Sequence, residues 1–326
     1  MEKHNSLTYK KVIFVTGGAG FIGSNYLNKY VLRYPKYRFV NIDALTYAAK
    51  KTNIKVAPLS NYIFEKADIR DAAKMEKLFL KYRPTDIIHF AAESHVDMSI
   101  KDPNIFIETN IVGTNNLLNL AKKQRTARFH HISTDEVYGA LKDKKGVFTE
   151  KSPIAPRNPY SASKAGAELM VMAYHETFGM NTVITRSSNN YGPNQDTTKL
   201  IPSFITKLLK GEKVPLYGKG ENIRDWLYVE DNVDAIDLVF HKGRAGQVYN
   251  IGGNCELANN VVVRKLLTLT KRDESFVSYV EDRLGHDFRY ALSSAKLTKE
   301  LGWKPKSNFE KGIQQTFAFY QQLSSK

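Results

Sequence analysis

Cysteine is almost absent from this sequence: Cys255 is the one cysteine among 326 residues. A single cysteine excludes an internal disulfide and a metal site built from several cysteines, and it agrees with a reducing compartment. We expect Cys255 to be a small buried or loop residue, because nothing around it suggests an activated thiolate. The sequence predicts no metal site.

Long apolar runs are also missing. No stretch approaches the ~20 apolar residues that span a membrane, and residues 1–11, MEKHNSLTYKK, contain no apolar core of a signal peptide. These absences lead us to expect a cytoplasmic protein without a membrane partner. Repeats and low-complexity segments are absent as well, and we expect residues 1–9 to form a loose tail.

Positive charge is in excess, with 48 Lys and Arg against 33 Asp and Glu and a formal net charge of +15. Such a charge suits nucleic acid, an acidic membrane surface or a phosphorylated ligand. The lysines are spread along the chain, and the densest cluster, LKDKKG at 141–146, is typical of a solvated loop. We therefore expect no nucleic-acid partner. A small ligand that carries a diphosphate explains a basic cleft equally well.

Short apolar runs alternate with amphipathic segments in the first half of the chain, which is typical of a parallel sheet with helices on both faces. Right-handed crossovers then favour one doubly wound sheet, an α/β fold of the Rossmann type. The predicted strands are 11–16, 38–43, 62–68, 86–92, 128–134 and 181–186. The predicted helices are 24–34, 71–82, 104–124 and 161–178.

The rhythm changes after Arg186, where NNYGPNQDTTK is rich in turn residues. A helix and a short strand are predicted within 200–220, a further strand at 246–253, and helices at 256–270 and 294–302. These elements predict a smaller C-terminal α/β lobe that is interleaved with the sheet domain. The predicted nucleotide domain is 10–186 with a return segment near 226–252, and the predicted lobe is 187–225 and 253–326.

A glycine-rich turn lies between the first strand and the first helix. In TGGAGFIG, Gly17, Gly18, Gly20 and Gly23 satisfy both the G-x-x-G-x-x-G and the G-x-G-x-x-G spacings. Glycines there allow a tight turn and let the backbone approach a pyrophosphate at a helix N-terminus. Asp43 ends the next strand, 20 residues after Gly23, where an acidic side chain binds a ribose 2′-hydroxyl and repels a 2′-phosphate. The pattern predicts NAD rather than NADP; an aspartate that merely opens a loop is the alternative.

Two later strand ends extend this site. Asp68 and Ile69 in ADIRD are expected to contact the adenine, and Ala91 and Ala92 in FAAES are small residues where a cofactor passes closely. Each is a weak signal, but together they follow the carboxyl edge of the sheet, where such ligands bind.

Tyr160 and Lys164 in NPYSASKAGAELM are four residues apart and share one face of a helix that Asn158 or Pro159 would open. A phenol with a pKa of ~10 is a poor base at neutral pH, but an adjacent ammonium and an oxidised nicotinamide favour the phenolate. Tyr160 could then take a proton from a hydroxyl as hydride leaves the same carbon. A chance Tyr-x-x-x-Lys is common, and the glycine-rich site before it makes the catalytic interpretation stronger.

Taken in order, these motifs resemble the extended short-chain dehydrogenase/reductase superfamily, and within it the nucleoside-diphosphate-glucose 4,6-dehydratases. The resemblance covers nearly the whole chain. The motifs that carry it are TGGAGFIGSN, FAAESHVDMSI, ETNIVGT, STDEVYG, NPYSASKAGAE, SSNNYGPNQ, KLIP, YGKGENIRDWLYVED, YNIGG, DRLGHDFRY and LGWKP.

The resemblance implies a role for the carboxylate pair in STDEVYG. Tyr160 deprotonates the sugar C4 hydroxyl while NAD+ takes the C4 hydride, with Lys164 holding the ribose and lowering the phenol pKa and Thr134 bonding the C4 oxygen. Glu136 then removes the C5 proton, and protonated Asp135 gives its proton to the departing C6 hydroxyl. Hydride returns to C6, which leaves a 4-keto-6-deoxy sugar and NAD+. Related 4-epimerases typically have small residues in place of this pair.

Further site residues follow from the resemblance. It implies that Phe21, Ile22, Thr109 and Ser133 also bind the cofactor. It assigns Ser94 to the sugar and Asn189 and Arg224 to the diphosphate, since a guanidinium matches phosphate in bidentate geometry. The remaining implied contacts, to the nucleoside or its phosphates, are Lys199, Leu200, Tyr217, Asn259, Arg283 and His286; for His286 a surface loop histidine is the alternative.

The implied substrate is dTDP-glucose, because ESHVD, IRDW and GHD match dTDP-type forms. Met98 stands where an arginine is common and Leu284 where a proline is usual, so UDP-glucose and UDP-N-acetylglucosamine stay open. A 4-epimerase or a UDP-glucuronate decarboxylase is the competitor of the same fold, and a nucleotide sensor that binds nucleic acid is the competitor of another class. The family is usually a homodimer, here predicted through helices 104–124 and 161–178.

Overall fold

A computed structural model of the chain describes residues 9–141, 145–282 and 287–325. Within these ranges the strands, β1 to β12 in chain order, are Lys11–Thr16, Tyr37–Asp43, Tyr62–Lys66, Asp86–His89, Arg128–Thr134, Thr182–Ser187, Asn189–Tyr191, Val214–Tyr217, Ile223–Tyr228, Gln247–Ile251, Glu256–Ala258 and Val277–Val280. The α-helices, α1 to α11, are Phe21–Arg33, Ala72–Tyr82, Val96–Lys101, Pro103–Phe106, Thr114–Lys123, Pro159–Phe178, Leu200–Leu209, Val229–Lys242, Asn259–Thr270, Ala295–Leu301 and Phe309–Ser324. A π-helix occupies Ile107–Gly113, and short 3₁₀ turns occupy Lys51–Asn53, Asp135–Tyr138 and Glu274–Phe276.

Seven parallel strands form the main sheet in the order β10, β6, β5, β4, β1, β2, β3. The chain runs outward from β1 through β2 to β3, and then crosses back to place β4 on the other side of β1. This reversal between β1 and β4 opens a crevice at the carboxyl ends of the strands, which is where doubly wound folds bind ligands. The predicted α/β fold of the Rossmann type is confirmed.

Side chains of each strand alternate between two apolar layers. In β1, Ile13 and Val15 pack with α1 and α8 on one face, while Phe14 packs with α2 and α5 on the other. Because both faces are covered, the central strands bury apolar side chains on both faces. The sheet is thereby held rigidly beneath the crevice.

A smaller lobe stands beside the sheet. The strands β11, β9 and β7 form one sheet, and β12 and β8 form another. The helices α7, α9 and α11 enclose a separate core that contains Ile205, Leu266 and Ile313. The smaller C-terminal lobe is thus confirmed. The connection between β6 and β7 is one residue long, so the lobe begins directly at the edge of the crevice.

The segment around α10 packs differently from its predicted domain. Leu297 and Trp303 lie in the core of the main sheet together with α1 and α8, although the predicted division gave 253–326 to the lobe. β10 returns to the main sheet beside β6 within the predicted return segment. The exact division between the two domains stays a prediction.

Most predicted elements of the first half lie within two or three residues of the observed ones. The predicted helix 104–124 is instead α4, the π-helix and α5 in succession, and the predicted helix 256–270 starts at Asn259, after the strand β11. Three helices, α3, α8 and α11, were not predicted at all. The predicted tail at 1–9 and the loop at 141–146 lie mainly outside the described residues.

Candidate active site

One cavity follows the carboxyl edge of the main sheet, from the glycine-rich turn to the start of α7. The structure brings together all the residues that the sequence assigned to the cofactor. The cavity is lined by Gly17, Gly20, Phe21, Ile22, Gly23, Asp43, Asp68, Ile69, Ala91, Ala92, Thr109, Ser133, Tyr160 and Lys164.

The glycine-rich turn is packed too tightly for side chains. Gly17 has a φ of +71°, and a Cβ built on it would lie 2.5 Å from the backbone nitrogen of Ala91. A Cβ on Gly23 would lie 2.5 Å from the carbonyl oxygen of Gly17. α1 begins just after Gly20, and no side chain among the described residues caps its N-terminus. The first N–H groups of α1 therefore remain available to an anion such as a pyrophosphate.

Asp43 is fixed at the end of β2 by two backbone donors. Its carboxylate accepts hydrogen bonds from the N–H groups of Ala19 (2.9 Å) and Leu45 (2.8 Å). Burial raises the pKa of Asp43, and these two donors oppose the rise. A fixed carboxylate at this strand end, a glycine cradle and an uncapped helix N-terminus are the features that hold a dinucleotide with a free ribose 2′-hydroxyl. The residues thus fit NAD.

Tyr160 and Lys164 lie in the first turns of α6. Asn158 caps this helix, with Pro159 as its first residue. Lys164 Nζ donates to the carbonyl oxygen of Ile132 at 2.7 Å, and burial lowers the pKa of Lys164 to about 8. Burial and then the charge of Glu136 raise the pKa of Tyr160 above its usual range. Lys164 and an oxidised nicotinamide, which are predicted to lower the pKa of Tyr160, would therefore have to outweigh the effects of burial and of Glu136.

The carboxylate pair lies on the 3₁₀ turn that follows β5. Thr134 Oγ1 accepts the N–H of Glu136 at 3.2 Å, lies 3.3 Å from Asp135 Oδ1, and hydrogen-bonds the Tyr160 side chain. The predicted catalytic residues Thr134, Asp135, Glu136 and Tyr160 are thus brought together by one turn and one helix end.

The two carboxyls differ in their surroundings. Burial, followed by the charge of Glu136, raises the pKa of Asp135 well above its usual range. Asp135 Oδ2 is buried and has no hydrogen-bond partner among the residues that the structure describes. Burial also raises the pKa of Glu136, but Lys199, Asn158 and Arg224 oppose the rise. This difference favours a protonated Asp135 beside an ionised Glu136, as an acid and a base require.

The residues assigned to the substrate lie at the other end of the cavity and around it. Lys199 lines the cavity with Ser94, and its Nζ donates to the Ser94 carbonyl oxygen at 3.2 Å. Its charge also acts on Glu136, so Lys199 lies closer to the chemistry than the sequence indicated. Leu200 starts α7 next to it. Arg224 on β9 is mostly buried and donates to the carbonyl oxygens of Ile223 (2.8 Å) and Asp287 (3.0 Å).

Other predicted substrate residues lie on the lobe. Asn189 starts β7, which pairs with β9, and Asn259 starts α9; the side-chain oxygens of both are buried without a partner among the described residues. Such atoms are expected where a polar ligand supplies the missing bond. Tyr217 ends β8. Arg283 and His286 lie outside the described residues.

The π-helix contributes a residue that the sequence did not single out. Asn110 Oδ1 accepts the N–H of Glu93 at 2.8 Å, and its Nδ2 donates to Ser163 Oγ at 2.8 Å. Ser163 Oγ in turn donates to the carbonyl oxygen of Tyr160 at 2.7 Å. This chain fixes the cavity wall against α6. No local pattern in the sequence marked it, because π-helical turns are rare and are inserted within α-helices. Such turns are frequent at functional sites.

The loop after Asp43 was also missed. Tyr47 lines the cavity, and its side chain hydrogen-bonds Glu93 across it. Burial and the charge of Glu93 raise the pKa of Tyr47 to about 12. A position directly after a strand end of the sheet was the available signal for this loop. Gln195, Asp196 and Thr198 also line the cavity and lie in the turn-rich segment before α7.

Two negative observations hold for the described ranges alone. No group of three or more His, Cys, Asp or Glu side chains among them is arranged to hold a metal ion. None of the helices that the structure describes has the length and hydropathy needed to cross a membrane.

Known proteins match this chain along nearly the whole length of both sequences. The family model described as GDP-mannose 4,6 dehydratase matches residues 14–316. A dTDP-glucose 4,6-dehydratase of Haemophilus influenzae is 48% identical, over 94% of this chain and 97% of the relative. The structure of a dTDP-glucose 4,6-dehydratase from Streptomyces venezuelae, with NAD and dTDP bound, superposes with a TM-score of 0.92 at 43% identity, over 95% of this chain and 97% of that chain.

An epimerase is also similar in fold. The UDP-glucose 4-epimerase of Thermotoga maritima, solved with UDP-glucose, has a TM-score of 0.89 at 31% identity, over 96% of this chain and 99% of that chain. The fold therefore does not separate the two activities, whereas sequence identity favours the dehydratases. The chain belongs to the GDP-mannose 4,6 dehydratase family, within the extended short-chain dehydrogenase/reductase superfamily.

Proposed function

We propose that this protein is an NAD-dependent dehydratase that converts dTDP-glucose to dTDP-4-keto-6-deoxyglucose. The observation that carries the proposal is the carboxylate pair Asp135–Glu136, which lies beside Tyr160 next to a dinucleotide site. Oxidation at C4 alone needs a base and a cofactor, whereas elimination of water needs a further acid and a further base. The environments of Asp135 and Glu136 support these two roles.

Side chains of this protein carry out four proton transfers in a fixed order. Tyr160, as phenolate, accepts the proton of the C4 hydroxyl, and Thr134 donates a hydrogen bond to the same oxygen. The C4 ketone makes the C5 hydrogen acidic, and Glu136 removes it. Asp135 protonates the C6 hydroxyl, which leaves as water, and the proton on Glu136 returns to C5. When bound, NAD would supply the acceptor for the C4 hydride and the hydride that is delivered to C6.

The cavity residues Gly17, Gly23 and Asp43 would hold the pyrophosphate and ribose of this cofactor, and Lys164 would hold the nicotinamide ribose. Lys164 is buried against Ile132 and has an unusually low pKa, so its proton is available for exchange with Tyr160 between turnovers. The proton that Tyr160 gains then balances the proton that Asp135 loses.

The nucleotide is supported by the relatives rather than by a contact in this chain. The Haemophilus influenzae relative is named for dTDP-glucose, and the Streptomyces venezuelae enzyme was solved with dTDP. The predicted nucleoside contacts Tyr217 and Asn259 lie on the lobe, on β8 and α9. UDP-glucose and UDP-N-acetylglucosamine remain the alternatives for the sugar nucleotide.

We further propose a homodimer that works in the cytoplasm, in the synthesis of a 6-deoxy sugar such as rhamnose. The dimer is supported by exposed apolar residues on α3, the π-helix and α6, which pack together on one side of the sheet. They are Met98, Ile100, Ile107, Val112 and Leu169. An apolar surface of this kind is typical of an interface between protein chains.

The activity is tested by incubating the purified protein, without added reductant, with dTDP-glucose, UDP-glucose and UDP-N-acetylglucosamine. Mass spectrometry should show loss of one water with the nucleotide retained, at the highest kcat/KM for dTDP-glucose. Preference for a UDP-sugar would correct the substrate alone. Epimerisation at C4 without loss of water, or no turnover together with salt-sensitive binding of DNA or RNA, would contradict the dehydratase assignment.

A further inference from the structure

We propose that Asn158 is a positioning residue for the elimination step: its side chain joins the N-terminus of α6 to the carboxylate of Glu136. The inference deepens the proposed dehydration and rests on it. Asn158 was singled out in the sequence only as a residue that could open the helix of Tyr160. The structure gives its amide a second partner.

The orientation of the Asn158 amide is determined by the helix. Its Oδ1 accepts the N–H of Ser161 at 2.8 Å, and the Ser161 hydroxyl lies 3.2 Å from the backbone nitrogen of Asn158, which completes a capping box. Ser161 is fully buried, so this arrangement is held on both sides. Because the oxygen must face the helix, the Nδ2 group must face away from it.

The Nδ2 group faces the proposed general base. It donates to Glu136 Oε2 at 3.5 Å, at the long end of a hydrogen bond. One side chain thereby connects the helix that carries Tyr160 with the turn that carries Glu136. A hydrogen bond to a carboxylate favours its ionised form, which is the form a base needs before it takes the C5 proton.

Charged and titratable groups from several elements also act on Glu136. Two are cations that the sequence assigns to the substrate, and their charge is shared with the phosphates once substrate binds. Asn158 is neutral and is not assigned to the substrate, so its hydrogen bond is the one that persists through the reaction. The groups that act on Glu136 or respond to it are Lys199, Arg224, Asp287, Asp135, Tyr160 and Tyr290.

Two substitutions separate this role from helix capping. Asn, Asp and Ser are about equally good N-cap residues, so Asn158→Ser keeps the cap and removes the donor. Asn158→Asp keeps the cap and places another acid beside Glu136. Asn308 provides a matched control, because its side chain caps α11 by accepting the N–H of Lys311 at 2.9 Å. Asn308→Ser and Asn308→Asp make the same two changes far from the cavity.

The measurement is the pH profile of water loss from the sugar nucleotide, with deuterium uptake at C5 in heavy water as a second readout of Glu136. We expect Asn158→Ser to move the acid limb of both profiles upward by about one pH unit, the size of shift that one hydrogen bond to a charged group produces. Asn158→Asp should move it further. At pH values within the acid limb, Asn158→Ser should turn over about tenfold more slowly than the wild type at the same pH. Thermal unfolding should change no more than in the Asn308 variants.

An acid limb in Asn158→Ser and Asn158→Asp that coincides with that of the wild type would overturn the inference and leave Asn158 as a helix cap. A wild-type protein that releases no water from any of the three sugar nucleotides would instead overturn the proposed function. The two failures are therefore distinguishable in one set of assays.

Discussion

Asp135 and Lys164 are charged residues in places where charge is costly. Asp135 is 3% exposed and Lys164 is 4% exposed. A buried ionisable group without a full partner either becomes neutral or reduces stability. Their pKa values are shifted toward the neutral forms, upward for Asp135 and downward for Lys164. Lys164 lines the cavity, and Asp135 lies next to Thr134, which hydrogen-bonds the cavity residue Tyr160. Shifted groups at and beside one cavity are characteristic of catalysis, where a neutral acid and a mobile proton are needed.

Asp135→Asn and Glu136→Gln should stop the reaction at different points. Asp135→Asn removes the proton donor for the leaving hydroxyl, so water loss should fall about 10²–10⁴-fold while deuterium still enters C5 of the substrate in heavy water. Glu136→Gln removes the base, so both water loss and C5 exchange should fall by that amount. Mass spectrometry of substrate and product measures both. Glu176→Gln, an exposed carboxylate on α6, serves as the control. Undiminished C5 exchange in Glu136→Gln would exclude Glu136 as the base.

Lys164 should lower the stability of the protein below about pH 8. Its pKa is about 8 in the folded protein against a usual value of 10.5. The unfolded chain therefore binds the proton more tightly, and this contribution to stability rises as the pH increases from about 8 toward 10.5. Lys164→Met should be more stable than the wild type near neutral pH, by about 3–4 kcal/mol at ~1.4 kcal/mol per pKa unit. The advantage should shrink by about 1 kcal/mol near pH 9.

Urea unfolding of both proteins at the two pH values measures this difference. Lys213→Met, which replaces an exposed lysine, should show no pH-dependent change relative to the wild type. An equal difference between Lys164→Met and wild type at both pH values would show that Lys164 keeps an ordinary pKa when folded.

At the scale of elements, the close contact between α1 and the glycine-rich turn limits what residue 23 can be. Alanine is better than glycine inside a helix by about 1 kcal/mol, so helix propensity alone predicts that Gly23→Ala is stabilising. Its Cβ would, however, lie 2.5 Å from Gly17 O and 2.7 Å from Gly18 Cα. Backbone atoms cannot swing away, so we expect a net loss of about 1–3 kcal/mol and weaker binding of NAD.

Thermal unfolding and titration calorimetry with NAD test this expectation. Gly20→Ala is the control in the same turn, because the nearest atom to its Cβ, Gly17 O, is 3.3 Å away. Its unfolding temperature should stay close to that of the wild type. A Gly23→Ala protein as stable as Gly20→Ala would show that α1 can shift without penalty.

The elements that the sequence predicted well are those whose pattern is local. The strands of the main sheet are short apolar runs, and Gly17 to Gly23 and Asp43 have spacings that one strand–turn–helix unit determines. α8 was missed because polar residues interrupt its buried face. Asp231 accepts the N–H of Ser307, and Asp237 accepts the hydroxyl of Tyr34. Such buried polar positions depend on partners far away in the sequence, which no local pattern contains.

Within the site as well, local patterns could be predicted from the sequence and contacts between distant residues could not. Tyr160, Lys164 and the Asp135–Glu136 pair could be predicted because they lie in short motifs, NPYSASKAGAE and STDEVYG, to which the family resemblance assigns roles. The second partner of Asn158 and the bridge through Asn110 could not, because each depends on how two elements pack together. Lys199 was predicted as a substrate contact. Its effect on the pKa of Glu136 could not be predicted, because it depends on how the folded lobe places Lys199 near that carboxylate.

At the scale of the whole molecule, an apolar surface on one side of the main sheet has no cover within the described chain. Val112 on the π-helix is 47% exposed and Leu169 on α6 is 55% exposed, and these two helices pack against each other. A second copy related by a two-fold axis would place the same surface against itself. That arrangement would cover both helices that carry the cavity wall, α6 and the π-helix, and would restrict their motion.

Val112→Glu and Leu169→Glu should therefore convert the proposed dimer to a monomer. In a two-fold interface each substitution occurs twice, and each buries a carboxylate without a partner. We expect the dissociation constant to rise at least about 100-fold for either variant, measured by sedimentation velocity over a range of concentrations. Leu32→Glu is the matched control, because Leu32 is 64% exposed on α1 and lies on the opposite face of the sheet. A wild-type chain that sediments as a monomer, or a Val112→Glu chain that remains a dimer, would exclude this surface as the dimer interface.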